Sequence, residues 1–257
     1  MTKKQSLDFI VKKNLPLSAG NFLLILKSQR DKLPDIMPGQ FVEVLIPGNQ
    51  VFLRRPISVF NVEKEDNELW LLIDNIGKGT GILSEIREQS MINLLLPLGN
   101  SFGLEKSGAK PLLVGGGVGI APMLYLARKL KEKSICPTIL LGGRNKENVI
   151  MVEEFEKYGH VEVTTDDGSL GVQGRVTEHP LWNDMKADAI YVCGPKPMMK
   201  AVAKLAREKN IYCEVSLENR MACGVGACLC CVEDTIDKGN ICVCTEGPIF
   251  SIDRLRW

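Results

Sequence analysis

The chain has 257 residues, enough for one large domain or two modest ones that each bury a core. Its 32 basic and 31 acidic residues leave a formal net charge of +1, which disfavours nucleic acid or an anionic membrane as partner. No run approaches 18 apolar residues, and the basic start of the chain is not followed by the apolar stretch of an export signal. The sequence therefore predicts a cytoplasmic protein with reduced thiols that acts on small molecules or other proteins.

Up to about residue 102, short β-rich runs alternate with Pro, Gly, Asn and Asp turn signals. A short helix is predicted between the last two strands, at 81–87. Because a closed sheet has no unpaired edge, this pattern favours a six-stranded antiparallel barrel. The predicted strands are 9–12, 22–27, 41–46, 57–60, 69–73 and 91–96.

Two motifs in this region can bind anions. Arg54-Arg55-Pro56-Ile57-Ser58 places two guanidinium groups and a hydroxyl at the start of an apolar strand, where they can clamp a phosphate. Gly-Lys-Gly-Thr at 77–80 offers free backbone N–H groups just before the predicted helix. Each alone is more often only a solvated charge pair or an exposed turn, but their joint occurrence in one small barrel ahead of an α/β domain favours a nucleotide site.

From Lys110 onwards, strands alternate with helices. Such alternation favours a mostly parallel sheet covered by helices on both faces. The predicted strands are 111–114, 138–141, 161–165, 189–193 and 212–216, with helices at 121–131, 152–158 and 197–209. We therefore predict three parts, a barrel domain at 1–104, a Rossmann-like α/β domain at 105–215 and a small cysteine-rich lobe at 216–257.

Two strand ends in the α/β region resemble nucleotide-binding turns. Residues 115–123 match the first two glycines of G-x-G-x-x-G at Gly115 and Gly117, but Ile120 replaces the third. The segment still links a strand to a helix, where backbone N–H groups and the helix dipole favour a phosphate. A tight turn without ligand is the alternative. Cys-Gly-Pro at 193–195 is a second such strand end, expected on the same side of the sheet.

Six of the nine cysteines lie between positions 223 and 244. Cys223, Cys228 and Cys231 have the C-x4-C-x2-C spacing of a plant-type iron–sulfur loop, which needs one more thiolate to hold a 2Fe-2S cluster. Cys242 or Cys244 can supply it, and on a strand the two would point to the same face. A structural zinc site is the alternative, but it usually has two separated C-x2-C pairs, and this segment has one.

The remaining cysteines and the histidines suggest no second site. Cys136, Cys193 and Cys213 lie in or beside apolar strand-like runs and are predicted to be inert core residues. His160 and His179 are far in sequence from any obvious nucleophile, which disfavours a catalytic triad, and both are predicted at the surface or at strand ends.

Taken together, these motifs resemble the ferredoxin–NADP reductase superfamily, and within it most closely the family of dihydroorotate dehydrogenase B electron-transfer subunits. The resemblance covers essentially the whole chain. It is carried by Arg-Pro-Ile-Ser at 55–58, Gly-Lys-Gly-Thr at 77–80, the turns at 115–123 and 193–198, and the cysteine segment ending in Cys-Thr-Glu-Gly-Pro at 244–248.

The resemblance implies three cofactor sites. FAD is expected at Arg55, Pro56, Ile57, Ser58, Leu72, Ile73, Asp74, Gly79 and Thr80. NAD is expected at Gly116, Gly117, Val118, Gly119, Ile120, Ala121, Cys193, Gly194 and Pro195. The 2Fe-2S cluster is expected on Cys223, Cys228, Cys231 and Cys244.

The implied activity is an electron relay. Electrons from a catalytic dihydroorotate dehydrogenase subunit, an FMN flavoprotein, would cross the cluster to FAD and then reach NAD+, in a heterotetramer of two plus two subunits. Hydride transfer between flavin and nicotinamide needs orientation but no general base, so no catalytic residue is predicted. Ser58 is expected near flavin N5 and Arg55 near the flavin diphosphate. The preference for NAD over NADP rests on the resemblance alone.

Two other functions remain open on the sequence. The first is a flavin and iron–sulfur subunit of another complex, of the sulfhydrogenase or NADH-dependent ferredoxin:NADP oxidoreductase type. The second is a redox-sensing or zinc-binding regulatory module, for which the additional Cys230 and Cys242 would be available.

Overall fold

The computed structural model describes residues 3–29, 32–48, 50–184 and 186–257. Within these residues, the N-terminal part forms a curled sheet of seven antiparallel strands in the order β4-β3-β7-β1-β2-β6-β5. Its elements are β1 (Gln5–Pro16), β2 (Asn21–Ser28), β3 (Phe41–Val44), β4 (Arg55–Ser58), β5 (Asn61–Glu63), β6 (Glu68–Asp74), helix α1 (Lys78–Ser84) and β7 (Met91–Leu98).

The sheet has seven strands rather than the predicted six because the run at 57–60 is not one strand. The chain bends at Val59 and Phe60, which are fully buried. The N–H of Val59 donates to the Gln40 carbonyl on one edge of the sheet, whereas the N–H of Phe60 donates to the Trp70 carbonyl on the other. The N–H groups of two successive residues therefore bond toward opposite edges of the sheet, and the bend between them curls the sheet.

Helix α1 begins three residues before the predicted start at 81. The Thr80 hydroxyl accepts hydrogen bonds from the N–H groups of Ile76 and Gly77, both at 3.1 Å. These bonds tie Gly77 and the residue before it to the first turn of the helix, so the helix can start at Lys78.

The second sheet also has seven strands and confirms the predicted α/β alternation. The order is β11-β10-β9-β8-β12-β13-β16, and all pairs are parallel except the last. Its strands are β8 (Pro111–Gly116), β9 (Thr138–Gly143), β10 (His160–Thr165), β11 (Val172–Gln173), β12 (Ala189–Cys193), β13 (Tyr212–Ser216) and β16 (Ile249–Ser251). The helices are α2 (Ala121–Glu132), α3 (Val152–Glu156), α4 (Leu181–Asp184) and α5 (Lys196–Glu208).

The cysteine-rich segment is attached to this second sheet. It forms a hairpin of β14 (Val232–Thr235) and β15 (Gly239–Cys242), then the short helix α6 (Val243–Glu246) and the edge strand β16. Cys231, Cys244 and Phe250 are buried in the same apolar cluster as Val192 and Val215 of the sheet. The cysteine loop therefore rests on a packed core that includes the α/β sheet.

A shared core also joins the barrel to the α/β sheet. Leu23, Phe60 and Leu72 of the barrel pack in one buried cluster with Ile120 and Leu124 of the following part. Burial of this apolar surface fixes the barrel against the start of α2. No helix in the described residues is long and apolar enough to cross a membrane.

Two expectations about isolated side chains are wrong. His179 is buried rather than at the surface, because it lies under Glu162 and beside the start of α4. Cys136 is exposed in the connection before β9, whereas Cys193 and Cys213 are buried as expected.

Candidate functional site

The carboxyl ends of β8 and β12 border a cleft of about 670 Å³. The strand order reverses between these two strands, and such a switch point is where open α/β sheets bind ligands. Six of the residues predicted to bind NAD line the cleft: Gly116, Gly117, Val118, Gly119, Gly194 and Pro195. The other three, Ile120, Ala121 and Cys193, are buried behind it.

The two glycine turns meet backbone to backbone. A Cβ on Gly119 would lie 2.5 Å from the Cα of Gly194. The two turns can therefore be this close only because residue 119 has no side chain. Ile120 occupies the place of the missing third glycine, and its Cγ2 would lie 2.8 Å from a Cβ on Gly115. The departure from G-x-G-x-x-G is therefore a packing feature of this turn.

The cleft continues past these turns to charged residues that the sequence analysis did not identify. Arg144 follows β9 and Asp166 follows β10, while Arg175 lies beyond β11, and all three line the same cleft. A signal was available, since polar residues directly after predicted parallel strands gather at the ligand edge of the sheet.

At the opposite end, the cleft reaches the barrel. Asp74, at the end of β6, lines it together with Glu218, which follows β13. Burial raises the pKa of Asp74 above its ordinary value. Glu218 Oε1 lies 3.7 Å from the Cys193 sulfur. The pKa of Cys193 is well above its usual range, mainly because the thiol is buried and also because Glu218 is close to it. Burial also raises the pKa of Glu218, so Cys193 is a neutral thiol facing a buried carboxyl group.

The two anion-binding motifs of the barrel are brought together. A Cβ on Gly79 would lie 2.7 Å from Arg55 Nε, so the guanidinium rests against the backbone at the start of α1. Arg55 Nη1 donates to the Leu53 carbonyl at 2.8 Å, which holds the side chain in this position. All four residues of β4 are half-buried, whereas Leu72 and Ile73 are core residues of β6 that can offer only their backbone to a ligand.

The cysteine loop points backbone N–H groups at its sulfurs. Cys223 Sγ accepts from the N–H groups of Val225 at 3.4 Å and Ala227 at 3.3 Å. Cys244 Sγ accepts from the N–H of Gly226 at 3.2 Å, and the N–H of Cys244 donates to Cys231 Sγ at 3.4 Å. Donors of this kind stabilise thiolates, which are the form that ligates iron.

These donors change the electrostatics of the loop. Burial raises the pKa of Cys223, but hydrogen bonds from the backbone N–H groups of Val225, Cys228 and Ala227 and from the Cys228 side chain together outweigh it and bring the pKa down to about 6. Burial and the neighbouring Cys231 raise the pKa of Cys244 to about 12. In the described residues no three His, Cys, Asp or Glu side chains surround one point as ligands of a single ion would. A two-iron cluster instead divides four thiolates between two metal atoms.

The expectation that Cys242 and Cys244 share one strand face is wrong. Cys242 ends β15, whereas Cys244 lies within α6, because the chain turns helical between them. Their contacts differ accordingly. Cys244 is fully buried and accepts a hydrogen bond from the Gly226 N–H, whereas the half-buried Cys242 places its sulfur 3.9 Å from the Gly226 carbonyl, where a thiol donates. Cys230 is exposed.

The cysteine loop lies on strand β3 of the barrel. Gly224 has a φ of +66°, and a Cβ there would come 2.8 Å from Glu43 Cγ. Glu43 pairs with Pro56 of β4 in the sheet, so one strand separates the loop from the Arg55 motif. Burial raises the pKa of Glu43 to about 7, against the opposing influence of the Arg54 guanidinium.

Comparison with known proteins places this architecture in a family. Residues 218–256 match the iron-sulfur cluster binding domain of dihydroorotate dehydrogenase B, and residues 113–204 match the oxidoreductase NAD-binding domain. The dihydroorotate dehydrogenase B (NAD(+)) electron transfer subunit of Streptococcus mutans is 39% identical, over 91% of this chain and 92% of that protein. Its counterpart from Shouchella clausii is 37% identical over 99% of both chains.

The chain belongs to the dihydroorotate dehydrogenase B electron-transfer subunit family. The predicted family is thereby confirmed. Solved structures confirm the predicted ferredoxin-reductase-like fold. The structure of an NADH-dependent reduced ferredoxin-NADP oxidoreductase superposes with a TM-score of 0.86 at 32% identity, covering 97% of this chain and 90% of that one. An Amycolatopsis cytochrome P450 reductase gives 0.70 at 20% identity, over 82% of this chain and 68% of its own, and shows the fold alone.

The matched regions agree with the predicted 2Fe-2S cluster and NAD, and the flavin-dependent structural neighbour agrees with the predicted FAD. The iron-sulfur domain match spans all four proposed ligands, Cys223, Cys228, Cys231 and Cys244. The NAD-binding match spans both glycine turns that border the cleft. As a member of this family, the chain is an oxidoreductase subunit that transfers electrons.

Proposed function

We propose that this chain receives electrons from a flavoprotein subunit that oxidises dihydroorotate. It passes them through a 2Fe-2S cluster and FAD to NAD+. The observation that carries the proposal is the placement of three binding regions around the barrel. The cysteine loop lies on β3, the Arg55 motif lies on the paired strand β4, and the nucleotide cleft opens beside Asp74 at the end of β6.

FAD fits the barrel motif. The Arg55 guanidinium lies against Gly79 at the start of α1, where it and the backbone N–H groups form a cationic surface suited to a diphosphate. Pro56, Ile57 and Ser58 continue along β4 as half-buried residues, and the Ser58 hydroxyl is our choice for a hydrogen bond to the flavin ring. Thr80 keeps this surface in place by accepting the N–H groups of Ile76 and Gly77 before α1. Leu72 and Ile73, whose side chains are buried in the core, would contribute only their backbone to the flavin site.

NAD(H) fits the cleft between the glycine turns. The turns of 116–121 and 193–195 carry no bulky side chain toward each other, so a dinucleotide can approach their backbone N–H groups at the start of α2. Asp74 and Glu218 lie at the barrel end of the cleft, where the nicotinamide would meet the flavin. The bound nucleotide and flavin supply the hydride chemistry themselves, and these residues bind and orient them.

The cluster fits the cysteine loop. Cys223 and Cys244 accept N–H hydrogen bonds from the loop, and Cys231 accepts one from Cys244, as thiolate ligands do. Cys228 is exposed, which puts one edge of the loop at the protein surface. A one-electron carrier at the surface is suited to exchange with a partner subunit.

The relatives' name, electron transfer subunit, supports a catalytic partner. We propose that this partner is an FMN flavoprotein, that two copies of each subunit assemble, and that the complex is cytoplasmic. We also propose functional parts at 1–104 for FAD, 105–215 for NAD and 216–257 for the cluster, with β16 returning to the α/β sheet.

Anaerobic purification of the chain tests the proposal. We expect bound FAD, about two iron atoms and two acid-labile sulfides for each FAD, and NADH oxidation with an artificial acceptor. Mixed with a barrel-type dihydroorotate dehydrogenase, it should support NAD+ reduction by dihydroorotate. A preparation without flavin, iron and sulfide would refute the proposal. For the ligands, Cys244→Ser should lose the cluster absorption and Cys242→Ser should keep it; the reverse result would overturn the assignment.

A second candidate has a specific observation in its favour. The structural similarity to the NADH-dependent reduced ferredoxin-NADP oxidoreductase extends over 97% of this chain at 32% identity. A subunit of that kind would contain the same cofactors but exchange electrons with a different partner. Co-purification separates the two, since a partner active on dihydroorotate supports the first function and a ferredoxin-dependent partner supports the second.

A further inference from the structure

A buried carboxylate lies between the barrel and the cysteine loop. Glu43 is fully buried in the middle of β3. Among the described residues, neither of its carboxylate oxygens has a hydrogen-bond partner. Burying such a group is unfavourable unless it is paired, so its retention at this position calls for a functional reason.

The basic residues beside Glu43 do not pair with its side chain. Arg54 Nη1 donates to the backbone carbonyl of Glu43 at 3.1 Å and Nη2 donates to Asn93 Oδ1 at 2.7 Å. The Arg55 guanidinium donates to the carbonyls of Leu53 and Arg54. The guanidinium groups are therefore near enough to favour an ionised Glu43 but leave its oxygens free.

The carboxylate faces the cysteine loop. Gly224 is the position that a side chain could not occupy without meeting Glu43, at 2.8 Å from Cγ and 3.3 Å from Oε1. Gly224 directly follows Cys223, one of the proposed ligands. On its other side, Glu43 pairs with Pro56 in the strand that carries the flavin motif. Glu43 thus lies between the two proposed electron carriers of this chain.

We propose that the charge of Glu43 sets the reduction potential of the 2Fe-2S cluster and keeps it low enough for electrons to move on to the flavin. This inference rests on the proposed function, because it requires the cluster and FAD. A reduced cluster carries one more negative charge than an oxidised one. A fixed carboxylate in a poorly screened interior opposes that added charge and lowers the reduction potential.

The midpoint potential of the cluster tests this directly. Wild-type protein and Glu43→Gln are loaded with flavin and cluster, and the reduced cluster is followed by electron paramagnetic resonance during a redox titration at pH 8.5. We expect Glu43→Gln to favour the reduced cluster by roughly tenfold, which is a rise of about 59 mV for a one-electron couple. Glu43→Met should raise the potential similarly, and Glu43→Asp, which keeps the charge, should stay close to wild type.

Glu68→Gln is the matched control. Glu68 is a buried carboxylate of the same sheet, but it is paired with Lys12. Its substitution should leave the potential of the cluster unchanged.

The outcomes separate the two proposals. A cluster present in wild type and in Glu43→Gln at the same potential overturns the role of Glu43 and leaves the proposed function standing. A shift in Glu43→Met without one in Glu43→Gln indicates a packing effect and also overturns it. Wild-type protein without any cluster signal refutes the proposed function, and the inference falls with it.

Discussion

Gly119 and Gly194 belong to two different strand-to-helix turns, yet they are in contact, with a Cβ on Gly119 only 2.5 Å from the Gly194 Cα and 2.6 Å from its nitrogen. Both contacts are to backbone, which cannot rotate away as a side chain can. The spacing of the two turns, and hence the width of the nucleotide cleft between them, depends on the absence of this one methyl group.

Gly119→Ala should therefore widen the junction and weaken NADH binding. We expect the KM for NADH to rise by roughly fivefold to 150-fold, while FAD content stays near wild type because the Arg55 motif lies in the barrel. Overpacking of this kind costs about 1–3 kcal/mol. Steady-state NADH oxidation with an artificial acceptor gives the KM, and flavin absorbance gives the FAD content.

Gly117→Ala is the control for this substitution. Gly117 has a φ of +56°, so alanine is strained there, but no heavy atom lies within 4 Å of its Cβ position. It should raise the KM less than Gly119→Ala does. Equal effects of the two would show that backbone strain, and not contact between the turns, limits binding.

Gly224→Ala should interfere with the cysteine loop. Alanine at a φ of +66° costs about 1–2 kcal/mol, and its Cβ would also meet Glu43 Cγ at 2.8 Å. We expect less iron and sulfide per chain and faster loss of cluster absorbance in air. Gly239→Ala is closely matched, since Gly239 has the same φ of +66° with no heavy atom within 4 Å. If both variants lose iron equally, the contact with Glu43 is not the cause.

Arg128 joins α2 to the edge of the barrel. Its Nη1 donates to Asn61 Oδ1 at 3.0 Å, to the Val62 carbonyl at 3.1 Å and to Glu63 Oε1 at 2.6 Å. Hydrogen bonds that involve a charged group contribute about 1.5–3 kcal/mol. Arg128→Ala should therefore lower the free energy of unfolding in urea by about that amount.

Lys129→Ala provides the comparison for Arg128→Ala. Lys129 is the next residue on the same helix, and its ammonium contacts two side chains of its own helix, the half-exposed Glu132 carboxylate and the Tyr125 ring. A pair of this kind contributes roughly 0.5 kcal/mol. A loss in Arg128→Ala no larger than in Lys129→Ala would contradict the role of Arg128 in joining the two parts.

The sequence predicted the elements of the α/β sheet well because their signals are local. Parallel strands such as β8 and β12 are continuous apolar runs, and a glycine ends β8 and directly follows β12 before a helix begins. The sequence could not predict the contact between Gly119 and Gly194, because this contact depends on how two turns far apart in sequence pack against each other.

The barrel and the cysteine segment show where local signals fail. The bend at Val59 and Phe60 carries the composition of a strand, and only the partners of their N–H groups on opposite edges reveal it. In the same way, Cys244 is close enough to the end of β15 to suggest that it belongs to the strand, but it lies in helix α6. Glu43 gave no signal at all, because a charged residue within an alternating strand is ordinarily solvent-facing, and here the cysteine loop covers it.

His179 should make the stability of the fold depend on pH. Burial lowers its pKa below the ordinary 6.5, against the opposing influence of Glu162. The unfolded chain then binds a proton more readily than the folded one. The free energy of unfolding is therefore not reduced by this histidine above pH 6.5. It decreases as the pH falls below 6.5, by at most about 1.4 kcal/mol per pH unit, until the histidine of the folded protein is protonated as well.

Urea unfolding of wild type and His179→Asn between pH 8 and pH 5 tests this. In wild type, the Leu181 N–H donates to His179 Nδ1 at 3.2 Å, and the side-chain oxygen of asparagine can still accept this bond. The variant should lose stability less steeply below pH 6.5 than wild type. Glu43 acts in the opposite direction over this range, since its raised pKa favours the folded protein as the pH falls, but it is present in both proteins and cancels in the difference. A slope unchanged in His179→Asn would show that His179 is protonated as easily in the folded protein as in the unfolded one.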